Sequence, residues 1–312
     1  MTTIASVNSD GKRCFDINKI NNLNDKEIQK LISTSEKMYF DQIRNLAKTI
    51  VKRKIKMVLI SGPSGSGKTT SSNLLAKELL KKKIGSLVVS IDDFFVNLED
   101  TPLLPNGKPD FESITAVDTE AFNKFYFDLL KKGKAKMPRF NFLTHQRDKW
   151  ENVQINDGDV ILVEGLHAHN PEMIKSNEFA SQILKVYLCV DSVYSIDNQT
   201  VLSEQDLRLL RRMYRDLYTR GRSLTETIEQ WKLVCEGEEK YVRPFKNIAN
   251  VIIDTIHPYE LQLYANYLTL PLIDLKNDEI SKLVELLKTI NPLDKKNVPH
   301  NSLLWEFLVN RE

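Results

Sequence analysis

Several things are scarce in this sequence. Its 312 residues hold only three cysteines, Cys14, Cys189 and Cys235, odd in number and far apart. That argues against a disulfide framework, gives no zinc-site spacing, and suits the reduced thiols of a cytoplasmic protein. Neither sign of charge is in excess: 44 Lys and Arg stand against 42 Asp and Glu, a net charge of +2. A global attraction to nucleic acid or to an anionic membrane is therefore not indicated, and any anion must be bound locally. No apolar run approaches the roughly 18 to 20 residues of a membrane span, and the opening MTTIASVNSDGK lacks the hydrophobic stretch of a signal peptide. Internal repeats are also missing. What is present is an ordinary globular composition, 41% hydrophobic and 28% charged, in a chain long enough for one main domain with appendages.

The pattern along the chain supplies the fold class. From Asp25 to Lys54, apolar residues at helical spacing (Ile28, Ile32, then Ile43, Leu46, Ile50) predict a helical N-terminal extension over 1–54, packed on the rest. Five short apolar runs come after it, at 56–61, 86–92, 159–165, 184–191 and 250–254, each reading as a buried parallel strand. Helical stretches Thr69–Lys83, Asp118–Lys132 and Ser203–Tyr218 lie between most of them. The alternation predicts an α/β doubly wound, mainly parallel five-stranded sheet with helices on both faces, over residues 55–257. Two segments interrupt it. Residues 96–117, with three prolines and a PNG turn, read as a loop near the carboxyl ends of the strands, and 136–158 as a β-hairpin insertion; both are candidate substrate-binding elements. Residues 258–312 read as helices with loops that serve packing or self-association into a homo-oligomer.

One motif carries most of the chemistry. The first strand runs directly into Gly62-Pro63-Ser64-Gly65-Ser66-Gly67-Lys68-Thr69-Thr70 and then a helix, which is G-x-x-x-x-G-K-[ST] in its required context, a P-loop. The glycines let successive amides turn toward phosphate oxygens at a helix N-terminus. Lys68 is expected to reach the β- and γ-phosphates of ATP, and Thr69 to offer its hydroxyl to Mg2+. The second strand ends in Ser90-Ile91-Asp92-Asp93; Asp92, at the tip, is the candidate general base, and Asp93 is expected to cap the segment after it. The third strand ends in Glu164, the acid expected to complete the magnesium site with Thr69 and Asp92. Further on, Arg208, Arg211, Arg212, Arg215, Arg220 and Arg222 crowd one helix and its end over 203–222, a candidate lid whose guanidiniums suit bidentate phosphate contacts.

With these residues in view, the chain resembles the uridine kinases (uridine-cytidine kinases) within the phosphoribulokinase and uridine kinase group of P-loop proteins. The resemblance rests on GPSGSGKTT, SIDDFF, PRFNFLTHQR, VILVEG and DLRLLRRMYRDLYTRGR followed by Gln230, in order over about residues 55–255. FESITAVD, GEEKYVRPF and PHNSLLWEFL liken it further to the bacterial-type branch that often carries an N-terminal TGS domain, for which the extension here is too short. The resemblance implies a P-loop NTPase-type fold, with ATP and Mg2+ as cofactors and transfer of phosphate to the 5′-hydroxyl of a pyrimidine nucleoside in salvage. Asp92 would accept the hydroxyl proton. Arg215 and Arg220 would face ATP with Lys68 as catalytic groups, while Arg212, Arg222 and Gln230 would contact the acceptor. Phe95 and Phe142 would supply apolar or stacking surface, and His145 and Leu166 would join them. Two positions depart from the family: Glu112 stands where an Asp binds the ribose hydroxyls, and Phe140 where a Tyr helps to read the base. A kinase of another small alcohol, and a nucleotide-binding regulatory module without transfer activity, are the alternatives.

Overall fold

The computed structural model describes residues 4–308 apart from 9, 105 and 276, so Pro105 of the PNG turn and both extreme ends of the expected appendages lie outside the described residues. In chain order the elements are β1 (Ala5–Val7), β2 (Arg13–Asp16), α1 (Ile17–Asn21), α2 (Asp25–Arg53), β3 (Met57–Ser61), α3 (Lys68–Leu80) and β4 (Ser86–Ser90). Next come α4 (Thr119–Lys132), β5 (Lys134–Asn141), β6 (Gln146–Gln154), β7 (Val160–Glu164), β8 (Ile183–Cys189), β9 (Val193–Ile196) and β10 (Gln199–Leu202). They are followed by α5 (Glu204–Thr219), α6 (Leu224–Tyr241), β11 (Val251–Asp254), α7 (Glu260–Leu272) and α8 (Asp278–Lys288).

Strand β3 is apolar along most of its length because both of its faces are covered. Met57 and Leu59 enter one apolar layer, with Phe122, Phe125 and Leu129 of α4. Val58 and Ile60 enter the other, with Ile43, Leu46 and Ile50 of α2 and Leu75 and Leu79 of α3. This is the period of two expected of a pleated strand buried on both sides. The sheet runs β11-β8-β3-β7-β4 and every pair in it is parallel. Strand β3 is therefore central, and the connection after β3 leads to the edge strand β4 while β7 fills the gap. The order reverses beside β3, which is where doubly wound sheets open a crevice at their carboxyl ends.

The helices start where side chains supply the missing acceptors. At α2, Asn24 accepts from the Lys26 and Glu27 amides while Glu27 returns a bond to the Asn24 amide, a reciprocal cap. Ser203 and Asp206 do the same at α5, and Ser223 and Glu226 at α6.

One expectation needs correction. The N-terminal extension is not helical throughout. Strands β1 and β2 pair with each other, and β2 pairs in parallel with β9 in a small sheet ordered β1-β2-β9-β10. These strands are three or four residues long, too short to show a period, and β9 is remote in sequence. A local clue exists for β9 and β10: Asp197 and Asn198, at φ 50° and 64°, form the two-residue turn that joins them, as left-handed hairpin turns prefer.

The C-terminal segment helps to build a second core, while its Leu303 enters the sheet layer that holds α2 and α3. Phe15, Ile17 and Ile28 from the extension join Leu207, Leu210 and Met213 of α5, Leu261, Leu268 and Leu272 of α7, Leu283 and Leu287 of α8, and Leu304 and Phe307. The arginine-bearing helix α5 is thus held by a body separate from the layers on the sheet.

Candidate active site

The P-loop connects β3 to α3 and is shaped by close neighbours. A Cβ on Gly62 would lie 2.1 Å from the Leu188 carbonyl oxygen of β8, so only glycine lets the strands stay paired there. Gly67, at φ 87°, begins α3 from the left-handed region that glycine tolerates. The Lys68 ammonium donates to the Gly62 and Pro63 carbonyls at 2.9 and 3.1 Å, so it lies over the loop.

Behind the loop stand two buried ion pairs. Arg208 makes a two-pronged contact with Glu238 of α6, both bonds 2.8 Å, and also donates to the Ser64 carbonyl. Arg211 pairs in the same way with Glu260 and donates to the Gly65 carbonyl at 2.9 Å. Glu238 in turn accepts from the Ser64 amide at 2.7 Å, and Arg212 donates to the Ser64 hydroxyl at 3.1 Å. These contacts correct the sequence-based picture at Ser64. Its amide, carbonyl and hydroxyl are all taken by groups behind the loop, so it is turned away from the phosphate side. Pro63 has no N–H to offer. Arg208 and Arg211 likewise do not belong to an exposed lid: they are fully buried braces of the loop's backbone, fork geometry being what a carboxylate partner selects.

In front of the loop, carboxyl groups gather with much less compensation. Glu164, buried at the tip of β7, accepts from the Thr69 hydroxyl at 3.3 Å. Burial pushes its carboxyl up to about 7, the neighbouring Asp92 adding to the rise and Lys68 opposing it. Asp92 comes just after β4 and keeps a little accessible surface in dense surroundings. Its carboxyl is also raised, first by burial, with Lys68 opposing and Asp93 reinforcing. Asp93 does not cap the next segment as expected. It pairs with Arg139 of β5 at 2.8 Å and accepts from the Phe140 amide at 3.4 Å, fastening the hairpin to the end of β4.

Glu112, in the loop before α4, is the next acid. Its carboxyl is pushed up to about 7 by burial and then by Glu238, against Arg212 and Lys68. The α6 backbone comes so close to it that a Cβ on Gly237 would lie 2.7 Å from the Glu112 Cβ. Beside these acids is an aromatic wall. Phe95 meets Phe111 and Phe140 edge-on at 5.6 and 5.5 Å, Phe140 meets Phe142 at 5.3 Å, and His145 stacks on Phe111 at 5.3 Å. His145 sits at φ 54°, uncommon for its type, and its Nδ1 is buried without a partner.

Four arginines converge on one buried acid. Arg212, Arg215, Arg220 and Arg222 all lie within 3.4 to 3.8 Å of the Asp216 carboxylate. Arg222 also donates to Gln230 at 2.7 Å. One carboxylate cannot neutralise this many guanidiniums, so the cluster keeps a positive field. Leu166 is placed apart from the other expected acceptor residues: its side chain packs with Tyr187, Cys189 and Val242.

The structure adds residues that the sequence did not single out. Phe111 completes the aromatic wall. His167, three positions after Glu164, is buried, and neither ring nitrogen meets hydrogen-bond geometry with a partner among the described residues; it lies beside the Glu112 and Ser113 backbone and meets Tyr241 edge-on at 5.7 Å. Burial pushes its imidazole down to about 4, so it is neutral near pH 7. A polar residue just past an apolar strand tip, as in VEGLH, is the signal that could have marked it.

Several known proteins are similar to this chain. A "Uridine kinase" from Leuconostoc citreum is 27% identical over 195 residues, covering 62% of this chain and 84% of its own. A "Uridine kinase" from Ureaplasma parvum serovar 3 is 29% identical over 199 residues, 63% of this chain and 86% of its own. A solved structure described as a possible uridine kinase from Bacillus stearothermophilus is 22% identical with a TM-score of 0.45, over 69% of this chain and 98% of that one. The Phosphoribulokinase / Uridine kinase family profile matches residues 57–261, from the first residue of β3 through α5 and α6 to the start of α7, which is more than half of the chain. This protein is therefore a member of the phosphoribulokinase and uridine kinase family, a phosphotransferase that acts on an alcohol acceptor.

Proposed function

We propose that the protein transfers the γ-phosphoryl group of ATP to the 5′-hydroxyl of a pyrimidine nucleoside, uridine or cytidine, in pyrimidine salvage. The observation that carries this reading is the meeting of three elements at one end of the sheet: the P-loop with Lys68, the raised acids Asp92 and Glu164, and a wall of aromatic rings beside Glu112. A wall of rings suits a planar base, an acid beside it suits vicinal hydroxyls, and a carboxylate next to the phosphate loop suits the proton of an attacking alcohol. The uridine kinases among its relatives support the same acceptor.

Mg2+ fits the residues present. Glu164 and the Thr69 hydroxyl are oxygen donors side by side, and a carboxyl that burial has raised is one that a cation would return to its charged form. Among the described residues no cluster of three or more His, Cys, Asp or Glu is arranged to hold a metal by itself. An ion held by one or two carboxylates completes its shell with substrate phosphates and water. When bound, it would neutralise charge on the phosphates.

The chain's own groups do the rest. Asp92 orients the acceptor hydroxyl and takes its proton. The Gly65 to Thr69 backbone and Lys68 hold the β- and γ-phosphates, and Arg215 and Arg220 stabilise the equatorial oxygens in the transition state. Arg212, Arg222 and Gln230 hold the acceptor, and Phe95, Phe140, Phe142 and His145 enclose the base. A cytoplasmic setting is supported by three free cysteines. Glu112 and Phe140 favour a second reading, a kinase of another small alcohol, because each alters a nucleoside-reading position. The deciding experiment is turnover of ATP with Mg2+ against single nucleosides and a panel of other small alcohols. Uridine or cytidine must exceed every non-nucleoside, and the reverse order overturns the proposal.

A further inference from the structure

The first turn of α3 should present free amides to phosphate, yet one of them is already engaged. The Thr70 amide donates to the Glu306 carboxylate at 2.9 Å. Thr70 is the third residue of α3, so its N–H is one of the orphan donors of a helix start and lies in the turn that a P-loop uses to hold the α- and β-phosphates. An acidic oxygen on such an amide is the same interaction that a nucleotide phosphate would make.

The element carrying Glu306 is built against the loop. Leu303 lies over Gly67, where a Cβ would come within 2.6 Å of its Cδ1. The Arg211 guanidinium, which braces the Gly65 carbonyl, stacks on Phe307 at 4.8 Å. Leu303 belongs to the apolar layer of α2 and α3, while Leu304 and Phe307 belong to the core shared by α5, α7 and α8. The turn 303–306 is therefore fastened on both sides. Glu306 itself is only half-buried, so its side chain can swing out while the turn stays. Its charge is also felt at Glu164, where it adds to the rise of that carboxyl.

We propose that Glu306 is an internal competitor of the phosphate donor: its carboxylate occupies the Thr70 amide until a nucleotide phosphate displaces it, and so sets the affinity for ATP. The proposal rests on the reading of the P-loop as an ATP site. Displacement costs the hydrogen bond between Glu306 and the Thr70 amide, which hydration of the freed carboxylate offsets only in part, and the carboxylate stays close to the incoming phosphates, which repel it.

The test compares full-length wild type with Glu306→Gln and Glu306→Ala, measuring Kd for MgATP and for adenosine by calorimetry and the melting temperature of each form. Gln keeps the shape without the charge, and Ala frees the amide. The expected result is MgATP binding tightened about 10-fold by Gln and at least as much by Ala, a ratio that corresponds to about 1.4 kcal/mol. Adenosine, which has no phosphate, should bind all three forms alike. Equal or weaker MgATP binding by the variants, with or without a lower melting temperature, makes Glu306 a helix cap and overturns the proposal. Tightening of adenosine to the same extent overturns it as well, as general loosening. Failure of all three forms to bind MgATP would instead overturn the ATP reading and this proposal together, whereas equal binding by all three overturns this proposal alone.

Discussion

Buried charge lies on both sides of the phosphate loop, and the two sides are built in opposite ways. Behind it, Arg208 with Glu238 and Arg211 with Glu260 form two-pronged pairs whose further hydrogen bonds reach the loop backbone and, from the Arg211 pair, Thr255 and the His257 amide. In front of it, burial raises the carboxyls of Asp92, Glu112 and Glu164, which have no paired cation of their own among the described residues. The difference separates a frame from a working surface. A fully compensated pair gains nothing from a ligand, so it can only hold shape, whereas an under-compensated acid is poised to take a proton or a cation.

The contrast can be broken by substitution, most severely in front. Asp92→Asn should lower kcat by about 10²- to 10⁴-fold, the range for loss of a general base, while MgATP binding stays near normal. Near-normal turnover would remove Asp92 from the proton transfer. Behind the loop, Glu260→Ala should destabilise the fold by about 3 to 5 kcal/mol in urea unfolding, because it strands the Arg211 charge inside the protein. If that variant kept full stability and lost only activity, the frame would have to be reassigned as catalytic.

A smaller effect concerns protons. Burial pushes the Glu164 carboxyl up to about 7 and raises that of Asp92, and the proposed roles need both ionised. Turnover at limiting Mg2+ should therefore fall as pH drops below about 7, approaching tenfold per unit on the acid side. Saturating Mg2+ should move the midpoint to lower pH, since a cation favours the carboxylate; a midpoint indifferent to Mg2+ would detach Glu164 from the metal. Smallest of all, Phe140→Tyr should lower KM for uridine by about fivefold, one added hydrogen bond being worth on the order of 1 kcal/mol. No change would show that the base is not read at that position.

The parts of this site that were legible in the sequence are those whose chemistry is local. Gly62 to Thr70 is a contiguous stretch, and Asp92 and Glu164 each end an apolar run, so strand tip and proposed role coincide along the chain. The same holds for the sheet, whose β3, β7 and β11 lie within one or two residues of the apolar runs that predicted them. The arginines were misleading for a physical reason. Helical spacing places Arg208, Arg211, Arg212 and Arg215 near one another, but it does not say which side of the helix meets a carboxylate. Their partners Glu238 and Glu260 sit on α6 and at the start of α7, tens of residues away. Glu306 was invisible for the same reason, since nothing near it in sequence points to Thr70.

The sequence by itself determined the class of sheet, the position of the phosphate loop and the acids at its strand tips, because period, glycine placement and strand ends are properties of neighbouring residues. Tertiary structure alone decided which arginines brace and which remain at the surface, that Ser64 faces backward, that the extension and C-terminal segment share a core with α5, and that Glu306 reaches the Thr70 amide. Each of these depends on where two distant segments meet. Burial then sets the charge state of what they bring together, and no local pattern encodes burial.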